Sequence, residues 1–439
     1  MVLLFVELLE EGYMLFALIL FLVTYALLLI LPKYRAVVAL SSALIFILTG
    51  IIEAKVAFLA IDFNVILMLT GTMGLVALVI ESKMPALLAD LLLVKVPNVK
   101  WAIITLAVFA GIISAFVDNV ATVLMVAPVA LTIAKKLKMS PVTSIITIAI
   151  ASNLQGAATL VGDATAILMG SHVGMTFSDF FFYDGKVSMF WIVQISTVAF
   201  TFICMWLFRK DSKPLPDEVK QNRTVVTDYF PSILLVGMIF LLIGASFIEQ
   251  KHELTNGFIC VGLFALGLIV AFYRERSKDV LIRTFKEVDV ATLLLLSGLF
   301  IVVAGITEAG VVNEISKIFV KFSGGGDNLF VLYSLIVWVS VVISAFVDNI
   351  PYVATMLPVV SGIATMLNID PTILYFGLLT GATLGGNFTP IGASANITAI
   401  GILRKNGYEV KLGEYMKISI PTTLVAVLTG YVLIWFIWS

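Results

Sequence analysis

Charge is scarce in this chain. Only 13% of its 439 residues are Asp, Glu, Lys or Arg, about half the share in an ordinary soluble domain. The 27 basic and 28 acidic residues nearly cancel, so there is no surplus positive field for nucleic acid. Cysteine and histidine are scarcer still, at two each. Cys204 and Cys260 lie in apolar runs as small core hydrophobes, which offers neither a disulfide framework nor a zinc site. His172 and His252 fall near the ends of apolar runs, where an interfacial position is expected and no role is assigned. The first fourteen residues hold three glutamates and no Lys or Arg. They lack the positive start of a cleavable signal, so the first apolar run is expected to stay as a membrane span.

What is present instead is apolar. Hydrophobic residues make up 61% of the chain and the mean hydropathy is +1.10. A water-soluble fold of this size cannot bury that much apolar surface. Lipid must be its solvent, which excludes a cytosolic enzyme and a disordered scaffold. A span needs about 20 mostly apolar residues. Single spans are predicted at 14–31, 36–52, 63–81, 188–208, 231–249, 257–273, 290–307 and 417–438. Four longer apolar stretches, 101–134, 142–174, 328–366 and 372–403, are interrupted by polar residues. The segment 84–95 reads as an interfacial helix.

Basic residues set the expected orientation. With 101–134 and 328–366 treated as hairpins that enter and leave on one side, 22 basic residues fall in cytoplasmic segments. The outer side keeps 5: Lys55, Lys186, Lys251, Lys317 and Lys321. Making either hairpin a full crossing destroys this asymmetry, so the hairpins are read as re-entrant. Both termini are then expected on the outer side of a cell membrane.

Self-similarity is the strongest signal. Ser114-Ala115-Phe116-Val117-Asp118-Asn119 recurs as Ser344-Ala345-Phe346-Val347-Asp348-Asn349, a shift of 230 positions. The same shift carries Pro128 onto Pro358, Gly156 onto Gly386, Thr159 onto Thr389 and Gly162 onto Gly392. Five crossings separate the copies, so the second enters from the opposite face. The expected fold is an all-α polytopic membrane protein of two inverted repeats, each with a re-entrant helical hairpin and a broken helix. The first repeat covers 1–208 (hairpin 101–134, broken helix 142–174) and the second 230–439 (hairpin 328–366, broken helix 372–403). A polar cytoplasmic linker, 209–229, joins them. Inverted repeats with polar, glycine-broken helices at matching positions point to a transporter's central site.

That site is predicted from the residues at the breaks. Asp118 and Asp348 are carboxylates near membrane depth, where a charge costs at least ~2.5–3.5 kcal/mol unless it is neutralised. No Lys, Arg or His lies in either hairpin or in the core of its partner helix. The compensating charge is therefore expected from a proton or a bound ion. The accompanying candidates in the first repeat are Ser114, Asn119, Asn153, Thr159, Gly162, Asp163 and Thr165. Those in the second are Ser344, Asn349, Asn387, Thr389, Gly392, Ser394 and Asn396. Breaks at such residues free backbone carbonyls and amides for ion contacts. Asp163 aligns with Ala393, so the first half carries one extra acid. The run Ser323-Gly324-Gly325-Gly326-Asp327 lacks the Gly-Lys-Ser/Thr ending of a phosphate loop and reads as an outer turn.

The strings SAFVDNVATVLMVAP, IASNLQGAATLVGDATAILMGS, SAFVDNIPYVATMLPV and TPIGASANITAIGI resemble the ion-transporter superfamily. The resemblance is to its branch of arsenite efflux permeases, D-type sodium/proton antiporters and the pink-eyed-dilution P protein. It implies a homodimer, an elevator-type movement and proton- or sodium-coupled efflux of an ion of the arsenite or antimonite type. Sodium/proton antiport and sodium-coupled dicarboxylate transport are the alternatives. Any sodium is expected at Asp118, Asn119, Gly162, Asp348, Asn349 and Gly392, with no other cofactor. The related dicarboxylate symporters carry Ser-Asn-Thr at each hairpin tip; here the triplets are Asp118-Asn119-Val120 and Asp348-Asn349-Ile350. Family members often read Gly-Asp-Pro-Pro-Asn in the first broken helix, whereas this chain has Gly162-Asp163-Ala164-Thr165-Ala166. With two buried thiols at most, a metalloid would be held as an oxygen species by hydrogen bonds. An enzymatic reading, intramembrane aspartyl proteolysis, fails because position 160 is Leu where Gly is required. A passive channel leaves the same residues in place but lacks coupling.

Overall fold

The structure, a computed structural model, describes the chain except residues 1, 216–223, 278 and 326–327. Part of the predicted linker and the end of the predicted outer turn (Gly326, Asp327) therefore lie outside the described residues. Helices dominate, and the only strands among the described residues are Phe182–Tyr183 and Lys186–Val187, paired as a small hairpin. Leu48, Phe247 and Phe436 are each at least three-quarters exposed, as expected for side chains that meet lipid.

The first repeat runs α1 (Val2–Ile30), α2 (Arg35–Leu48), α3 (Ala54–Leu59), α4 (Phe63–Glu81), α5 (Met84–Leu93), α6 (Val99–Ser114), α7 (Asn119–Lys136), α8 (Val142–Gln155), α9 (Ala164–Val173) and α10 (Met189–Leu207). The second runs α11 (Phe230–Ser246), α12 (Thr255–Glu275), α13 (Asp279–Glu287), α14 (Val290–Glu308), α15 (Val311–Phe322), α16 (Leu329–Ser344), α17 (Asn349–Leu367), α18 (Thr372–Leu379), α19 (Ser394–Lys405) and α20 (Leu412–Trp438). Most predicted spans appear with small shifts. The segments at 36–52 and 231–249 are shorter than expected, at 14 and 17 residues. The amphipathic α15 follows the span at 290–307 and was not anticipated.

Two of the arms are shorter than a full crossing, while the following arms α7 and α17, at 18 and 19 residues, are long and apolar enough to span. α6 and α16 have 16 residues each, about 24 Å of helix against a hydrocarbon core of ~30 Å. Each ends at its Ser (Ser114, Ser344), turns over four residues and restarts at its Asn (Asn119, Asn349). The broken helices stop at Gln155 and, after a π-helical stretch over Thr380–Leu384 and a short 3-10 turn, at Phe388. They resume at Ala164 and Ser394, again 230 positions apart.

The repeats interlock. α2 packs on α14 and α4 on α12, so each outer pair takes one helix from each half. Closer to the centre, α7 lies against α19 and α9 against α17. A hairpin arm of one repeat thus meets the resumed half of the other repeat's broken helix.

Candidate functional site

Four helices begin at the centre: α7, α9, α17 and α19. Helix starts leave amide groups without intrahelical partners, and three of the four are capped by the acids the repeat singles out. The Asp118 carboxylate accepts from the Val120 and Ala121 amides at 2.9 and 3.2 Å. Asp163 accepts from the Ala164 amide at 2.8 Å and the Thr165 hydroxyl at 3.0 Å. Asp348 accepts from the Ile350 amide at 3.2 Å and the Ser394 hydroxyl at 3.0 Å. The fourth start, α19, follows Ala393 and has no side-chain cap. The Asp163/Ala393 difference read from the repeat is therefore a difference between a capped and an uncapped helix.

Between these helix starts lies a cleft of about 100 Å³ lined by Asp118, Asn119, Asp163, Asn349 and Ser394 from the predicted set. Glu287, Asp289 and Thr292 line its mouth and were not anticipated. Among the described residues no Lys, Arg or His lines it. The two hairpin tips meet the first broken helix here: Asn349 Nδ2 donates to Asp163 at 3.3 Å and Asn119 Nδ2 donates to Asn153 Oδ1 at 2.8 Å. Asn119 Oδ1 is buried with no partner. Buried acceptors are normally satisfied, so this oxygen points to a donor or cation that belongs with the site.

Behind the cleft the duplication becomes a duplicated cradle. A methyl placed on Gly162 would lie 2.7 Å from the Gly156 carbonyl oxygen, 3.0 Å from that of Ala115 and 3.1 Å from that of Ser114. On Gly392 it would lie 2.5, 2.5 and 2.8 Å from the carbonyl oxygens of Gly386, Ser344 and Ala345. Thr159 and Thr389 fix these turns, donating to the carbonyls of Ala115 and Ala345. Ser344 donates to Ala382 O at 2.6 Å, while Ser114 accepts from Ser152 at 2.9 Å. Asn396 Nδ2 reaches Gly386 O at 3.3 Å and its Oδ1 is buried and unpartnered. The carbonyl oxygens close tightly on each glycine, so a side chain at either turn would force backbone apart. Among the described residues no group of three His, Cys, Asp or Glu side chains converges as a transition metal requires.

A polar seam ties the halves together beneath the cleft. Asn153 Nδ2 donates to Thr383 O at 2.8 Å and to Asn387 Oδ1 at 3.1 Å, and Thr165 pairs with Thr383 at 2.9 Å. Thr383 was not among the predicted residues, because nothing in the linear pattern separates it from other threonines in an apolar run.

One expectation is corrected. In this structure the countercharge of Asp348 is a fixed one: Arg35 Nη1 lies 2.8 Å from its Oδ2. The guanidinium arrives from the start of α2, 313 positions away in sequence and outside both hairpins and their partner helices. Asp118 has no such partner among the described residues.

Comparison with known proteins agrees with this architecture. The model of the family described as "CitMHS: Citrate transporter" matches residues 25–381. A "46 kDa membrane protein" of Mycobacterium leprae is 31% identical over 431 residues, covering 95% of this chain and 97% of its own. The human P protein is 26% identical, covering 84% of this chain and 53% of that longer protein. The YdaH transporter of Alcanivorax borkumensis superposes with a TM-score of 0.57 at 16% identity, covering 97% of both chains. MtrF of Neisseria gonorrhoeae, described as one of a class of antimetabolite efflux pumps, gives 0.57 at 16% over 89% of this chain and 83% of its own. At that identity the likeness is one of fold. A polytopic chain with two inverted repeats, matched along most of its length by the family model, is a membrane transporter and belongs to the CitMHS citrate-transporter family.

Proposed function

We propose that the protein is a secondary transporter that couples a cation to the movement of a small oxygen-rich cargo of the arsenite, antimonite or carboxylate kind. The observation that carries this reading is the unequal capping of the four central helices. Three starts are neutralised by their own aspartates, while the fourth, at Ser394, has no side-chain cap of its own and borders the cleft, its first hydroxyl donating to Asp348. Such a helix start suits an oxyanion or an oxyacid.

The cation belongs on the other side of the same space. Asp118, the unpartnered Oδ1 of Asn119 and the carbonyls around Gly162 are oxygen donors of the hard kind that sodium prefers. Asp163, held by neutral donors alone, is the group that would take a proton. When bound, a sodium ion would supply the positive charge that lets Asp118 remain ionised at membrane depth. Elevator-type movement of the hairpins and broken helices against the outer helices, in a homodimer, completes the proposal. Plain sodium/proton exchange is the second reading. It is favoured by the acids Asp118, Asp163, Glu287 and Asp289 in the cleft lining, which repel a free polyanion.

The test is flux in vesicles. Reconstituted protein is given an inward sodium gradient or a pH gradient and offered citrate, dicarboxylates, arsenite or antimonite. Accumulation of one cargo above its external concentration, lost when the gradient is dissipated, supports the first reading. Gradient-driven proton movement in sodium without any cargo supports the second. No response to either gradient refutes both.

A further inference from the structure

The hairpin tips share six identical residues, yet their acids are held differently. Asp118 accepts only from amides at its own helix start. Asp348 is met by a helix start, by the Ser394 hydroxyl and by Arg35. Arg35 belongs to α2, which packs on α14, outside the hairpin and broken-helix unit.

The register of the outer helices shows what stands opposite. Gly71 of α4 is pressed against the backbone of Cys260–Val261, and Gly298 of α14 against that of Ala39–Leu40. The two contacts are the same contact in the two repeats, so position 39 corresponds to 260 and position 35 to 256. Arg35 therefore corresponds to Asn256, a neutral side chain. Only one repeat supplies a fixed cation.

Arg35 is not a fully tied structural arginine. Of the guanidinium's five donors, Nη1 goes to Asp348 and Nε to Leu28 O at a long 3.3 Å, and the side chain keeps 20% of its exposure. Its strong attachment is to a carboxylate on a segment that the transport reading requires to move. The same tip is held by Tyr25, whose hydroxyl donates to Pro351 O at 2.6 Å and pairs with Thr355. Tyr25 and Arg35 face the Asp348 tip from α1 and α2, Glu287 and Asp289 line the cleft beside Asn349 and Ile350 from the turn into α14, and Asp163 lies one residue along through Asn349.

We propose that Arg35 is a built-in competitor for the coupling cation at Asp348. The guanidinium takes the carboxylate when the mobile cation leaves and yields it when the cation returns, so the buried acid is never without a positive partner. One positive charge replaces another and no bond is made or broken. This proposal rests on the cation-coupled reading above and extends it from Asp118 to its repeat-related counterpart Asp348, where Arg35 sets the release of a cation.

The test uses the full chain in detergent. Thermal unfolding is followed against sodium chloride, with choline chloride holding ionic strength and the pH fixed, and against pH in choline alone. Removing the competitor with R35Q is expected to lower the half-saturating sodium, or proton, concentration about tenfold, and R35K is expected to behave as wild type. In a D348N background the Arg35 change is expected to be silent. An unchanged or higher half-saturation in R35Q overturns the proposal. So does any difference in cation response between D348N and R35Q/D348N, a pair that stays informative should R35Q alone fail to fold because it leaves no unpaired acid. A wild-type protein that responds to neither cation sinks the coupling reading itself, an outcome distinct from a responsive wild type with an inert Arg35.

Discussion

Alanine at Gly162 is the sharpest perturbation of the carbonyl cradle proposed to hold the cation. The added methyl would sit 2.7 Å from the Gly156 carbonyl oxygen and 3.0 and 3.1 Å from those of Ala115 and Ser114. All three neighbours are backbone, and the Ala115 carbonyl is further fixed by the Thr159 hydroxyl. None can swing aside as a long side chain would. Overpacking of this kind costs about 1–3 kcal/mol, and rigid neighbours place G162A in the upper part of that range. Gly401 in α19 is the control, since nothing lies within 4 Å of its built methyl. There alanine gains roughly 0.5–1 kcal/mol through helix propensity. Denaturant titration in micelles should separate the two variants by about 3 kcal/mol, and sodium should stabilise G401A but not G162A. If G162A stays within ~0.5 kcal/mol of wild type and keeps its sodium response, the carbonyls can spread and the cradle is not the cation site.

Further outcomes can be measured alongside. D163N should abolish gradient-driven flux while the protein still folds and inserts, because Asn can cap Ala164 but cannot carry the proton; normal turnover would remove Asp163 from the mechanism. At position 118, alanine should cost about 1 kcal/mol through the lost cap, whereas D118N should keep the stability and lose the sodium response; equal melting points for D118A and wild type would contradict the capping role. N153A breaks the seam between the halves and should cost about 1–3 kcal/mol, read as a lower denaturant midpoint. For orientation, a cysteine at exposed Lys210 should label only from the cytoplasm and one at exposed Lys321 only from outside, against a silent background since both native cysteines are buried. Labelling of both from one side would overturn the inverted arrangement.

Much of this was legible in the sequence because duplication shows twice what composition shows once. The shift that aligned Asp118 with Asp348 also aligns the first residues of the resumed helices, Ala164 and Ser394, and the ends of both leading arms, Ser114 and Ser344. Local chemistry sufficed there: Asp, Asn and Gly at a break in an apolar run mark where backbone groups need new partners. What stayed hidden was whatever two distant segments make between them. Arg35 read as one more basic residue in a loop, since a charge at the start of a helix says nothing about a carboxylate 313 positions on. Thr383 and Asp289 were hidden for the same reason. The capping role of the acids emerges only in the structure, where the three aspartates cap their helices whatever else they do.

The crossed pairing of the outer helices also governs how the chain can be made. α2 finds its partner in α14, about 255 residues later in synthesis, and α4 finds its partner in α12, about 190 residues later. Until the second half emerges, the first presents bare, closely approachable glycine faces such as Gly71 to lipid. It cannot complete its own interior. Cut at the linker, the first half alone should remain an assembly intermediate that degrades or waits, and the two fragments should recover a folded protein only when made together.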